Sequence, residues 1–206
     1  MSPGTERRTK SITLVLGGAR SGKSGYAQKI ASRFERVTFI ATGQARDGEM
    51  RRKIAQHRRD RPASWRTVEA PVNLHKTICS ESKKADVVLV DCLTLYVANV
   101  VGAKKRLNSE SNAHIEDVCN AIRASEASVI VVSNEVGSGI VPPYRSGRMY
   151  RDLLGQMNQG VAQIADTVVL MVAGLPVAVK ESKMTQHAGD ANVRGSARRN
   201  DERGRR

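Results

Sequence analysis

GGARSGKS, residues 17–24, sits between the apolar run Ile12-Thr13-Leu14-Val15-Leu16 and the segment Gly25-Tyr26-Ala27-Gln28-Lys29-Ile30-Ala31, which has helical character. It fits G-x-x-x-x-G-K-[ST], with Gly17, Gly22, Lys23 and Ser24 at the defining positions. Glycines accept positive φ and let backbone N–H groups approach a polyphosphate closely. A helix starting at the end of the loop turns its partly positive N-terminus toward the same anion. In such a cradle Lys23 reaches the β- and γ-phosphates and the Ser24 hydroxyl ligates Mg²⁺. A glycine-rich turn with an incidental lysine is the bland alternative. The strand before the loop and the helix after it are the context that the motif requires and the alternative does not.

The pattern continues outward from that loop. Short runs rich in β-branched residues recur at Ile12–Leu16, Val37–Ala41, Val87–Val90, Ser128–Val132 and Thr167–Val172. Helix-like segments lie between them, near 22–33, 47–59, 72–81, 92–100, 112–125 and 146–165. Alternation of strand and helix predicts an α/β fold, a mostly parallel sheet with helices on both faces. Val177–Lys180 adds an expected edge strand. The chain divides into a flexible arm at 1–11, one nucleotide-binding catalytic domain at 12–181 and a basic tail at 182–206 that is expected to be disordered. Residues 102–112 are expected to form a surface excursion. A second nucleotide signal is Val87-Val88-Leu89-Val90-Asp91, an apolar strand ending in an acid. Asp91 is the expected carboxylate partner of Mg²⁺, sharing the ion with Ser24 from two adjacent strand ends.

Bulk properties bound the function. At 206 residues the chain is long enough to bury one full core. No apolar stretch approaches the roughly 20 residues needed to span a bilayer, and Arg7, Arg8 and Lys10 precede a run too short for a signal peptide. Cys79, Cys92 and Cys119 are widely spaced, with no C-x-x-C pair, and fit reduced thiols in a cytoplasmic protein. The formal charge of +14 suggests nucleic acid. Against that, window 46–66 holds eight basic and three acidic residues close to the phosphate loop in sequence, where a triphosphate accounts for them equally well. Aromatic residues make up only 3%, too few for a stacking platform. No specific nucleic-acid partner is expected.

The segment Asp47 to Pro62, DGEMRRKIAQHRRDRP, carries the acceptor question. Met50, Ile54 and His57 fall at i, i+4 and i+7, so one helical face carries all three. From the residues alone, two readings stand: His57 is a helix histidine near the core, or it is a nucleophile ringed by Arg58, Arg59 and Arg61. Those cations would favour a neutral imidazole and stabilise charge on a phosphoryl group.

Taken in order, the motifs resemble the bifunctional adenosylcobinamide kinase/adenosylcobinamide-phosphate guanylyltransferase family of cobalamin biosynthesis. The resemblance runs from about Ile12 to Lys180 through GGARSGKS, IAT (40–42), EM-x-x-x-I-x-x-H (49–57) and RPASWRTVE (61–69). It continues with VLVDCLTLY (88–96), SNEVGSGIVP (133–142), GR-x-x-RD-x-x-G-x-x-NQ (147–159) and VAGLP (172–176). It implies a phosphate-loop NTPase fold of RecA-like type and two reactions. The first moves the γ-phosphate of ATP or GTP to the hydroxyl of adenosylcobinamide. The second moves GMP from GTP onto adenosylcobinamide phosphate through a guanylyl-histidine, and the resemblance assigns that histidine to His57. It also implies that Gly17, Gly18, Ala19, Arg20, Ser21, Gly22, Lys23 and Ser24 bind the nucleotide, together with Ile40, Ala41, Thr42, Arg58, Arg59, Asp60, Arg61, Glu69 and Asp91. The family analogy further implies a homotrimer.

Other residues stay open at this level. Asn134 and Glu135 end a strand where a glutamate can orient or deprotonate the acceptor hydroxyl, or where the SNEVGSG turn is structural. Arg145, Arg148 and Arg151 suit a substrate phosphate, a neighbouring subunit or a solvated helix face. Gly48, Tyr150 and Pro143 depart from the family's usual residues without removing a proposed catalytic group. The rival readings are a kinase alone, should His57 be structural, and a nucleic-acid-associated NTPase.

Overall fold

The computed structural model describes residues 9–44, 48, 52, 55, 59, 61–103 and 109–181. Its elements are β1 (Ile12–Gly17), α1 (Lys23–Ala31), β2 (Val37–Ala41), β3 (Arg66–Glu69), α2 (Leu74–Glu81) and β4 (Val87–Asp91). They continue with α3 (Leu93–Ala103), α4 (Ser109–Ala124), β5 (Ser128–Val132), α5 (Arg145–Ile164), β6 (Thr167–Val172) and β7 (Leu175–Lys180). Gly48, Arg52, Ala55 and Arg59, within the expected helix at 47–59, are helical and exposed. Residues 1–8 of the expected arm at 1–11, and the tail at 182–206, lie outside the described residues.

The strands form one seven-stranded sheet in the order β3-β2-β4-β5-β1-β6-β7. Every pair is parallel except β6 with β7. The inner strands are apolar almost throughout because both faces are covered, and β5 is buried at every position. On one face Leu14, Val88, Val90, Val129 and Val131 join a core with Leu74, Ile78, Tyr96, Ile122 and Leu154 from α2 to α5. On the other, Val15, Leu89, Ile130 and Val132 pack with Ala27 and Ala31 of α1. Those alanines are four apart, so the helix presents a small-residue stripe to the sheet.

Two expectations change. Ser24 and Asp91 do not come from adjacent strand ends: β5 lies between β1 and β4. Sequence gives strand order no direct signature, so the intervening strand was invisible there. Arg66–Glu69 was not expected as a separate strand, being polar and largely exposed. It forms because the open edge of β2 offers a ladder, pairing Thr38 with Arg66 through to Ala41 with Glu69. Arg66 then donates to buried Glu81 of α2 at 2.7 Å, and Lys84 meets the same carboxylate at 3.0 Å. In the region expected as an excursion, α3 runs through Ala103 and α4 begins at Ser109.

Leu14 is fully buried in the middle of the strand that feeds the phosphate loop. Leu14→Ala should lower unfolding free energy by about 2–5 kcal/mol, read as a lower urea midpoint at unchanged m-value.

Candidate active site

The loop after β1 is shaped by backbone freedom at two glycines. Gly17 has φ 149°, and a Cβ there would lie 2.6 Å from both the Met171 carbonyl and Ser21 Oγ. Gly22 takes φ 92° as the residue before α1, and its Cβ position lies 3.3 Å from Gly174 Cα. Gly174 N–H also donates to Ser21 O at 3.1 Å. The β6–β7 turn therefore supports the phosphate loop from behind. Lys23 is buried, and its Nζ donates to Gly18 O and, at 3.4 Å, to Ser21 Oγ. Burial pushes the ammonium below its ordinary pKa, while Cys92 and Asp91 oppose that shift.

A cleft of about 790 Å³ opens over this loop at the carboxyl ends of the strands. Ala19, Arg20, Lys23 and Ser24 form one wall, Asp91, Cys92 and Thr94 another, and Ala41, Arg61 and Glu69 a third. Asn134 closes the rim. Topology thus brings Ser24 and Asp91 to one cavity despite the strand between them. Phe39 also lines the cleft, with the Arg61 guanidinium 3.7 Å over its ring. Arg61 further donates to Thr67 Oγ1 at 3.3 Å.

Of Ile40, Ala41 and Thr42, only Ala41 lines the cleft; Ile40 and Thr42 are fully buried. The Thr42 hydroxyl donates to Cys92 O at 2.6 Å and accepts from Cys92 N–H at 2.9 Å. Thr42 O accepts from the amide of Asn99, which also reaches Pro71 O. Thr42 therefore secures the turn that carries Asp91. Burial, then the neighbouring Asp91, pushes the Cys92 thiol up to about 11. At neutral pH it is a protonated thiol and a poor nucleophile.

At the rim, Asn134 N–H donates to Thr94 Oγ1 at 2.9 Å and Asn134 O accepts from Asn158 Nδ2 at 3.0 Å. The Glu135 carboxylate accepts from Gly137 N–H at 2.5 Å, capping its own turn. Arg151 donates to Gly137 O, and Arg148 donates to Pro142 O and Pro143 O at 3.1 and 2.7 Å. Those arginines brace the 137–143 loop. His57, Arg58 and Asp60 lie outside the described residues. Among the residues that sequence reasoning passed over, Phe39 and Thr94 line the cleft and Asn158 holds Asn134 from behind it. Phe39 and Thr94 stand inside or beside quoted motifs but read as ordinary strand and helix-start positions.

Among the described residues, no three His, Cys, Asp or Glu side chains gather into a metal cage. A hydroxyl and a carboxylate on one cleft suit Mg²⁺, which takes one or two protein oxygens and completes its shell with water and substrate phosphates.

The family model described as cobinamide kinase / cobinamide phosphate guanyltransferase matches residues 13–179. The bifunctional adenosylcobalamin biosynthesis protein CobP of Pseudomonas aeruginosa is 44% identical over 170 residues, covering 81% of this chain and 96% of that protein. CobU of Escherichia coli K12, of the same description, is 39% identical over 180 residues, covering 82% and 99%. Among solved structures, the type III secretion ATPase EscN of enteropathogenic E. coli superposes with a TM-score of 0.54 at 12% identity. The match covers 82% of this chain and 48% of EscN, so this chain spans about half the length of that ATPase. That likeness is one of fold alone. The family match and the curated relatives, over nearly the whole described body, carry more: the chain belongs to the cobinamide kinase / cobinamide phosphate guanyltransferase family.

Proposed function

We propose that this chain carries both activities of its family in the one cleft, phosphorylating adenosylcobinamide with ATP or GTP and then transferring GMP from GTP to give adenosylcobinamide-GDP. The observation that carries this reading is the convergence of Lys23, Ser24, Asp91 and Glu69 on a single cavity. One phosphate cradle then serves both steps, presenting the γ-phosphorus in the first and the α-phosphorus in the second.

In the kinase step the acceptor hydroxyl attacks the γ-phosphorus, the P–O bond to the leaving diphosphate breaks, and the hydroxyl proton passes to a base. Asn134 and Glu135 stand at the rim proposed to receive that acceptor. In the guanylyl step an imidazole nitrogen of His57 attacks the α-phosphorus and pyrophosphate leaves. An acceptor phosphate oxygen then attacks the same phosphorus, breaks the P–N bond and restores His57. The loop N–H groups and Lys23 neutralise charge on the departing diphosphate or pyrophosphate. Bound Mg²⁺, held through Ser24 and Asp91, supplies further charge neutralisation at the phosphates. Arg58, Arg59 and Asp60 are proposed to border the nucleotide, with Arg61 and Glu69 on the base or ribose. His57 takes its role from the family resemblance. A cytoplasmic homotrimer is the proposed state in the cell.

Two experiments test the reading. Incubation with Mg²⁺ and GTP labelled at the α- or γ-phosphate, kept alkaline because a phosphoramidate is acid-labile, should leave label on the protein from α-GTP only. The label should be absent in His57→Ala and discharged by adenosylcobinamide phosphate. GTP binding with no α-label would leave the kinase-only reading. Separately, Gly17→Ala should weaken binding of GTP and ATP alike at least tenfold by calorimetry, because its Cβ displaces Met171 or Ser21 from behind the loop.

A further inference from the structure

We propose that Thr94 and Asn158 are positioning residues for the acceptor: from two different helices they hold the peptide of Asn134, and so set the acceptor rim relative to Lys23 and Asp91. The inference rests on the reading of that rim as the acceptor side.

The geometry is a bracket. Asn134 lies two residues beyond Val132, the last residue of the β5 ladders, and outside the strand pairing that fixes the main chain before it. Its N–H is taken by Thr94 Oγ1, 40 positions earlier, and its carbonyl by Asn158 Nδ2, 24 positions later. The residues on either side are tied elsewhere: Ser133 N–H donates to Val15 O and Glu135 N–H to Gly17 O, at 3.0 and 3.1 Å. The rim is thus stitched to β1 and the phosphate loop through Ser133 and Glu135, and to helices α3 and α5 through Asn134. Along α5, Arg148, Arg151 and Asn158 are spaced by three and seven, one side of a helix. All three bond to carbonyls between Asn134 and Pro143.

The chemistry argues for a task beyond holding the fold. Asn158 is only 6% exposed, yet its Oδ1 is buried with no partner, and Ser133 Oγ is in the same condition. Buried acceptors without partners lower stability, and an apolar contact between α5 and β5 would serve packing better. What an asparagine supplies and an apolar residue cannot is a directed donor on the Asn134 carbonyl. Thr94 itself lines the cleft, with Asp91, Cys92 and Asn134, so the bracket stands at the wall that carries the Asp91 turn.

The test uses the full-length enzyme and separates nucleotide from acceptor. Thr94→Val keeps the shape and removes the hydroxyl; Asn158→Asp keeps the shape and removes the amide donor. Each should lower kcat/KM for adenosylcobinamide by 10- to 100-fold, the range that small misplacements of reacting groups produce. GTP affinity, by titration, should stay within about threefold of the parent in each. Thr94→Ser, which restores the hydroxyl, should recover most of the loss. If acceptor kinetics and GTP affinity fall together in both variants, or Thr94→Ser rescues nothing, the bracket is merely structural and the proposal fails. Asn134→Ala checks the underlying reading: unchanged acceptor kinetics in that variant would remove the rim from the acceptor site. An effect in Asn134→Ala without one in Thr94→Val and Asn158→Asp would sink the bracket alone.

Discussion

Parallel register is the constraint from which the cleft follows. The ladders β2–β4, β4–β5 and β1–β5 place Ala41, Asp91 and Val132 side by side, with Val15 paired to Val132 as the chain turns into the phosphate loop. The carboxyl ends of β1 to β6 therefore meet along one rim. Parallel strands need crossover connections, so the turns at that rim are free to carry polar residues while the crossover helices cover the faces. A slip of one residue in any ladder would exchange the two cores, since Leu14 and Val15 face opposite sides. The apolar packing on both faces thus fixes the positions of the charged groups at the edge.

Several polar groups near the rim hold its turns. Thr42 and Asn99 are both buried, and between them they bond to the Cys92 peptide, Thr42 O and Pro71 O. These contacts join β2, β4, α3 and the start of the segment leading to α2. Asn134, Thr94 and Asn158 do the same on the other side of Asp91. A buried hydrogen bond is worth little net free energy but is costly to leave unmade. Such residues accordingly specify one arrangement of the rim.

Electrostatics at the cleft follow from burial. Lys23 gives up hydration and is satisfied by its own loop, with Asp91 close enough to favour its charged form. An incoming polyphosphate offers it a stronger, anionic partner. Cys92, beside the same carboxylate, is kept protonated, so the cleft presents a cation and oxygen ligands rather than a reactive thiol.

The amino-acid sequence by itself determined the phosphate loop, the alternation of strand and helix, the acid at the end of β4 and the family, because each rests on local pattern: glycine spacing, period-two and period-3.6 apolarity, and ordered motifs. Tertiary structure alone decided that β5 separates β1 from β4, that Arg66–Glu69 adds a strand, and that Thr42 serves the Cys92 peptide instead of facing the cleft. It also decided that Arg148, Arg151 and Asn158 bond to carbonyls of the rim loop. Those facts depend on contacts between residues far apart in the chain. Strand order and hydrogen-bond partners are set by how distant segments bury their apolar faces together, and no short stretch of sequence records which neighbour it will meet.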